Sequence, residues 1–297
     1  MSGPAPMLPT FLIVGAAKAG TTALYWYLAE HPDVFMSQVK EANYFAYGLD
    51  EQGRLVYGDP DVHRFPVKSL GDYQALFAGA GAAAAVGEAS PIYLECPQAP
   101  GRIKELIPGV RIICSLRQPV ERAFSDYLMY LRRRGRRFDP ARELTAAAEW
   151  ARPDSRWMQV GRYHAQLARY FEAFPRDRIH VQLIDDFKPT PLGAVQDVYR
   201  FLGIDPTFVP DFDTPHAPGG MPASTLLEGV FTSGTLLSMV KPWVPLRAAN
   251  WIRRLRTRNM RRPPPLPPAL RRELTAPFRD DIVRTSQLIG RDLSHWL

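Results

Sequence analysis

Two short stretches hold residues of the kind that handle phosphate. In GAAKAGTT, residues 15–22, Gly15 and Gly20 have the separation of the two glycines in a phosphate-binding loop, G-x-x-x-x-G-K-[ST]. The lysine is displaced, however. Lys18 stands inside the loop, and Gly20 is followed directly by Thr21 and Thr22. Small residues at 15–17, Ala19 and Gly20 let backbone N–H groups wrap an anion, and a helix opening next would aim its positive end at the same point. Lys18 adds a full charge, and the two threonine hydroxyls add donors. The second stretch, SLRQPVERAFS, ends an apolar run at Arg117 and brings Ser125 eight residues later, with Pro119 suited to the first turn of a helix. A guanidinium and a hydroxyl so placed suit a phosphate monoester. Together the two stretches describe a ligand with phosphate at two separate positions. An ATP-using enzyme would need a hydroxyl after the lysine to hold magnesium and an acidic residue to help, for which Asp185 and Asp186 are the best available.

These residues need strand ends and helix starts to hold them. FLIVGAA (11–17), VRIICSL (110–116) and RIHVQLI (178–184) read as buried strands, and AAAAVGEA (82–89) as a weaker fourth. Helical periods follow the first two and precede the third, in TTALYWYLAEH, VERAFSDYLMYLRR and YHAQLARYFEAF, and His31 ends the first of these. The alternation predicts an α/β fold with a central, mostly parallel sheet covered by helices on both faces. Ligands in such sheets bind beyond the carboxyl ends of the strands, where both phosphate stretches fall. Residues 205–268, broken repeatedly by proline, are expected to form an irregular cap within a single domain spanning 1–297, since Trp243 and Trp251 need burial.

The bulk numbers narrow the class of protein. Of the chain's 297 residues 46% are hydrophobic, ample for a core, and no apolar run approaches the length of a membrane span. The first ten residues lack the features of a signal peptide, and two cysteines, Cys96 and Cys114, form neither a disulfide framework nor a zinc spacing, so a cytoplasmic protein is expected. The net charge is +7, and only six of the 37 basic residues are lysines. Guanidinium grips phosphate and sulfate through a two-pronged fork that ammonium lacks. The arginine runs 132–137 and 253–262 have no interleaved aromatics and match no nucleic-acid module.

FLIVGAAKAGTTAL resembles the 5′-phosphosulfate loop of sulfotransferases that use 3′-phosphoadenosine 5′-phosphosulfate (PAPS), and SLRQPVERAFSDYLMY resembles their 3′-phosphate segment. VKEANYF (39–45), GEASPIYL (87–94), GRYHAQLARYFEAFP (161–175), VYRFLGI (198–204) and LIGRDLSHWL (288–297) follow in the family's order, closest to its Golgi-type and bacterial branch with the heparan-sulfate sulfotransferases. The displaced lysine is what this family shows.

The resemblance implies a P-loop-like fold and transfer of a sulfuryl group to a hydroxyl, or as second choice an amine, of a small-molecule, natural-product or glycan acceptor, with no metal. It implies that Lys18, Ala19, Gly20, Thr21 and Thr22 hold the 5′-phosphosulfate, with Lys18 also meeting charge on the leaving phosphate, and that Arg117 and Ser125 hold the 3′-phosphate. Glu41 matches the base in the pattern K-E-x-x-[HYQ]-F, although Ala42 stands where proline is commonest; near aromatics and out of water, its pKa would rise. His63 and His164 are the rivals, because the cytosolic branch uses histidine. Tyr163, with Arg162 before it, approaches the nucleotide in relatives, and Arg261 and Arg262 occupy the place of a basic clamp without its K-G-R wording. Lys40, Tyr44, Glu88, Ser90 and His63 are the expected acceptor-side residues, with Glu88 expected to orient either a loop or the acceptor and Ser90 to sit near the cofactor. The alternatives are an ATP-dependent P-loop phosphotransferase and a non-catalytic nucleotide- or polyanion-binding protein. No nucleic acid is expected as a partner, and the sequence permits a homo-oligomer.

Overall fold

The structure, a computed structural model, describes residues 8–51, 54–58, 63–135, 139, 150–213, 221–223, 259–261 and 265–297. Five strands, β1 (Phe11–Gly15), β2 (Val34–Met36), β3 (Ala85–Ala89), β4 (Arg111–Leu116) and β5 (Ile179–Leu183), form one sheet in the order β2-β3-β1-β4-β5, every pair parallel. Every residue of β1 and of β3 is buried, so both faces of the sheet are covered, as an all-parallel sheet requires. From β1 the chain passes to the edge strand β2, returns to β3 beside β1 and then crosses to β4 on the other side. The carboxyl ends of β1 and β4 therefore flank the point where strand order reverses, the usual ligand crevice of open α/β sheets. The short β2 is the strand that hydrophobic patterning misses.

The described residues divide into two compact units. The first comprises Met1–Arg117, Arg162–Asp211 and Asp280–Trp296 and holds the whole sheet. Helix α1 (Thr21–Ala29) is apolar nearly all round and buries Leu24, Tyr25, Tyr27 and Leu28. It stops at Glu30, just ahead of His31-Pro32, because the residue before a proline disfavours helix. His31 is buried there. Its Nδ1 accepts from the Asp33 N–H (3.1 Å), so its Nε2 carries the proton and donates to the Asp205 carbonyl (2.9 Å). Residues 205–211 thus pack with this unit, and the Asp211 N–H donates to Glu30 (2.7 Å).

Helices α2 (Leu70–Ala75), α3 (Ile92–Glu95) and α4 (Ala99–Leu106) precede β4 in the chain. The second unit comprises Gln118–Gly161, Phe212–Arg279 and Leu297. Within it, α5 (Pro119–Arg133) starts where Pro119 predicts, and the Gln118 side chain caps it by accepting from the Glu121 N–H (2.8 Å). Arg122 and Asp126 pair one turn apart on α5 (3.2 Å), and Asp126 also takes Arg156 (3.4 Å) from α6 (Arg156–Gln159). Back in the first unit come α7 (Tyr163–Ala173) and, after β5, α8 (Leu192–Leu202). Of the proline-rich stretch, the second unit shows a two-residue antiparallel ladder, Met221–Pro222 against Met260–Arg261, and then α9 (Pro268–Thr275). Most of that stretch, Trp243 and Trp251 included, lies outside the described residues.

Helix α10 (Arg279–Ile289) supplies Asp281, whose carboxylate accepts from the Tyr163 N–H (2.8 Å) and the His164 N–H (3.3 Å). It caps α7, which has no side-chain cap of its own. Cys96 and Cys114 are free and buried. Among the described residues no helix is long and apolar enough to cross a membrane.

Candidate active site

The loop after β1 is shaped by its small residues and tied to the neighbouring strand. A Cβ on Gly15 would lie 2.5 Å from the Cβ of Leu94, so only glycine lets α3 close against the end of β1. Gly20 has φ 88°, a left-handed turn into α1 that leaves the first helical amides with no side chain accepting from them. Two bonds fix the loop to β4. The Ala16 N–H donates to the Ser115 carbonyl (2.7 Å), and the Ser115 hydroxyl donates to the Ala19 carbonyl (2.6 Å). Lys18 itself has φ 69°, a conformation that costs a non-glycine residue of order 1 kcal/mol or more. Arg117, just past β4, reaches the Lys18 carbonyl through Nη1 (3.4 Å). The Tyr163 hydroxyl donates to the Arg117 carbonyl (2.8 Å). The structure therefore brings together Lys18, Ala19, Gly20, Thr21, Thr22, Arg117 and Tyr163. Tyr163 is buried and meets Arg117 at its backbone carbonyl. Two partly exposed cations beside an uncapped helix start fit a multiply charged anion.

The segment 40–44 sits at the end of the adjoining strand. Ser90 follows β3 and bonds the Ile13 carbonyl of β1 (3.0 Å), and Glu41 donates its N–H to the Ala89 carbonyl (3.0 Å). Glu41 and Asn43 both have left-handed backbones, φ 62° and 56°. Asparagine tolerates this; for glutamate it is strain of the kind that collects at functional sites. The side chain of Glu41 departs from expectation. It is 49% exposed and pairs with Lys40 Nζ at 2.7 Å, so it is not withdrawn from water by the aromatics that follow it. Those rings turn inward instead. Tyr44 stacks on Tyr73 (4.5 Å, 15°), and Phe45 meets the edges of Tyr73 and Tyr93. A stacked pair of this kind adds about 0.5–1.5 kcal/mol beyond area burial.

The buried carboxylate is Glu88. It is 0% exposed, accepts from the Ser90 hydroxyl (2.6 Å) and the Tyr73 hydroxyl (3.3 Å), and burial pushes its pKa up to about 7. Hydrogen bonds to the carboxylate oppose that rise without cancelling it. Glu88 and Ser90 are both fully buried. Because the folded pKa lies above the unfolded one, Glu88 favours the fold most below about pH 4.5, and this contribution is lost as pH rises through about 7. The span is on the order of 3 kcal/mol. Denaturant titrations should show wild type losing stability relative to Glu88→Gln between pH 4.5 and 7; a difference independent of pH would contradict the burial argument.

His63 faces Glu95, Nε2 to Oε1 3.7 Å, with side chains 12% and 7% exposed. His164 opens α7 under the Asp281 cap. Ser125 lies partly exposed on α5 and Arg261 exposed in the ladder, both in the second unit, while Arg262 lies outside the described residues. Asp186 accepts both guanidinium nitrogens of Arg291 (2.7 and 2.8 Å), and Asp185 accepts from Trp296 Nε1 (3.2 Å), so both carboxylates are engaged at the end of β5. Ser115, Asn43 and Tyr73 are residues that sequence reasoning misses.

Residues 9–208 match the model of the sulfotransferase family, and the chain belongs to that family. The family implies PAPS as the sulfate donor. A sulfotransferase from Alicyclobacillus acidocaldarius, known from its crystal structure, is 32% identical with a TM-score of 0.68, covering 98% of this chain and 99% of that one. Bifunctional heparan sulfate N-deacetylase/N-sulfotransferase 4 of Mus musculus is 28% identical over 217 residues, 68% of this chain and 23% of the relative. The membrane-associated sulfotransferase kil1 of Dictyostelium discoideum is 32% identical over 124 residues, 40% of this chain and 22% of the relative. The chain thus spans less than a quarter of the length of these curated relatives.

Proposed function

We propose that this chain transfers the sulfuryl group of PAPS in line to a hydroxyl of a small-molecule, natural-product or glycan acceptor, without a metal. The observation that carries the reading is the displaced Lys18, held in a left-handed backbone at the mouth of uncapped α1 with Arg117 against its carbonyl. PAPS, when bound, supplies an activated sulfuryl group on a 5′-phosphate. Lys18, the loop amides through Gly20 and the hydroxyls of Thr21 and Thr22 hold that end, and Lys18 meets the charge that grows on the phosphate. Arg117 takes the 3′-phosphate, to which the resemblance also assigns Ser125. Glu41, exposed at the loop's edge beside Lys40, takes the acceptor's proton. The engagement of Asp185 and Asp186 favours this over magnesium-dependent phosphoryl transfer. An amine acceptor is the second reading, which the N-sulfotransferase activity in the name of the mouse relative supports.

Labelled PAPS offered with 4-nitrophenol, a long-chain alcohol and an N-unsubstituted heparan chain tests this. Label should pass to at least one of them, equally well with EDTA. Transfer abolished by EDTA and replaced by phosphate transfer from ATP would make the protein a phosphotransferase, and nucleotide binding without any transfer would make it a binding protein. Arg117→Ala should cost about 2–5 kcal/mol of affinity for 3′-phosphoadenosine 5′-phosphate (PAP), read by calorimetry, if its ion pair with the 3′-phosphate is desolvated.

A further inference from the structure

We propose that Glu88 is a positioning residue, a buried brace whose two carboxylate oxygens hold the turn that presents Lys40 and Glu41. The proposal rests on the reading of Glu41 as the base. One oxygen, Oε2, accepts from Ser90 Oγ (2.6 Å), and the same Oγ accepts the Asn43 N–H (3.0 Å). The other, Oε1, accepts from the Tyr73 hydroxyl (3.3 Å), and the Tyr73 ring stacks on Tyr44. Both arms end on the turn, one on its backbone at Asn43 and one on its ring at Tyr44. The Glu41 N–H also bonds the strand directly, at the Ala89 carbonyl.

The turn needs such a hold. Two of its residues, Glu41 and Asn43, keep left-handed backbones, and a strained conformation persists only where its surroundings over-determine it. Sequence placement alone leaves Glu88 orienting either a loop or the acceptor. The full burial of Glu88 and Ser90, together with the continuity of the two hydrogen-bonded arms, makes them the support of a group that is itself exposed. The Glu41 side chain gains no rigidity from burial, so its backbone is where the fold can fix it.

The test uses three small changes that keep the core filled, since Glu88→Ala would strand two hydroxyls in the interior. Ser90→Ala cuts the backbone arm and Tyr73→Phe the ring arm. Glu88→Gln keeps an oxygen that can accept from Ser90. Amide hydrogen exchange of the peptide covering 41–45 should speed up by about 10-fold or more in Ser90→Ala, through freer local opening. Turnover of PAPS with the best acceptor of the panel above should fall by roughly 10-fold, as displacement of a reacting group by a fraction of an ångström does, with PAP affinity unchanged. Tyr73→Phe should show the same pattern more weakly, and Glu88→Gln should stay near wild type in both readings. Unchanged exchange in Ser90→Ala overturns the brace, as does a Glu88→Gln variant that loses exchange protection as fully as Ser90→Ala. Faster exchange with normal turnover would show that the hold has no catalytic consequence and overturn the positioning role. Normal turnover in Glu41→Gln would remove the base assignment instead, and exchange would still decide whether Glu88 holds the turn.

Discussion

Lys18→Ala should slow single-turnover transfer from PAPS by roughly 100- to 1000-fold, the scale for losing one preorganised charge partner in a transition state. Affinity for PAP should fall far less. The loop amides, the hydroxyls of Thr21 and Thr22 and the Arg117 guanidinium all remain in the variant. The negative charge that Lys18 meets is largest only as the S–O bond breaks, so its effect is concentrated in the rate. The backbone adds a second reason. Lys18 is held at φ 69°, where alanine is no more comfortable, so the substitution removes the ammonium without relieving the strain. Rapid-quench rates set beside calorimetric PAP affinities make the comparison. A loss confined to affinity would mean that Lys18 only anchors the nucleotide.

Glu41→Gln carries the second large effect. The amide keeps the size and much of the hydrogen bonding but cannot take the acceptor's proton, so transfer should fall by about 100-fold or more while nucleotide binding survives. An alcohol acceptor should suffer more than 4-nitrophenol, which ionises with little help. Glu41 pairs with Lys40 and its side chain is 49% exposed, on the solvent side from which an acceptor would arrive. The rival histidines stand differently, His63 against Glu95 and His164 at a capped helix start. His63→Ala and His164→Ala should retain most activity. A dead histidine variant beside an active Glu41→Gln would reverse the assignment.

How much of this was legible in the sequence depends on how local each cause is. The strands at 11–15, 111–116 and 179–183 are runs of apolar, often β-branched residues, and such runs announce themselves. β2 does not, because three residues give no period to read. The loop 15–22 was legible because its chemistry and its chain order coincide, and α5 because Pro119 marks its first turn. The environments of the two glutamates were not. Glu41 sits beside aromatics in sequence, yet those rings turn toward Tyr73 and leave the carboxylate in water. Glu88 is buried by Tyr73 and its neighbours, a residue from another element that no motif marks. Left-handed backbones at Lys18 and Glu41 are likewise set by what surrounds them, since neither residue type prefers that conformation.

The central claim is that the chain is built to read a nucleotide bearing both a 5′-phosphate and a 3′-phosphate. Thermal unfolding of the full chain with equal concentrations of PAP and ADP tests it most directly and requires no knowledge of the acceptor. PAP should raise the midpoint by several degrees at concentrations where ADP barely moves it, because a ligand stabilises the fold in proportion to how far its concentration exceeds its dissociation constant. Arg117→Ala should erase most of that difference. Equal stabilisation by PAP and ADP, unaffected by the Arg117 substitution, would contradict the account.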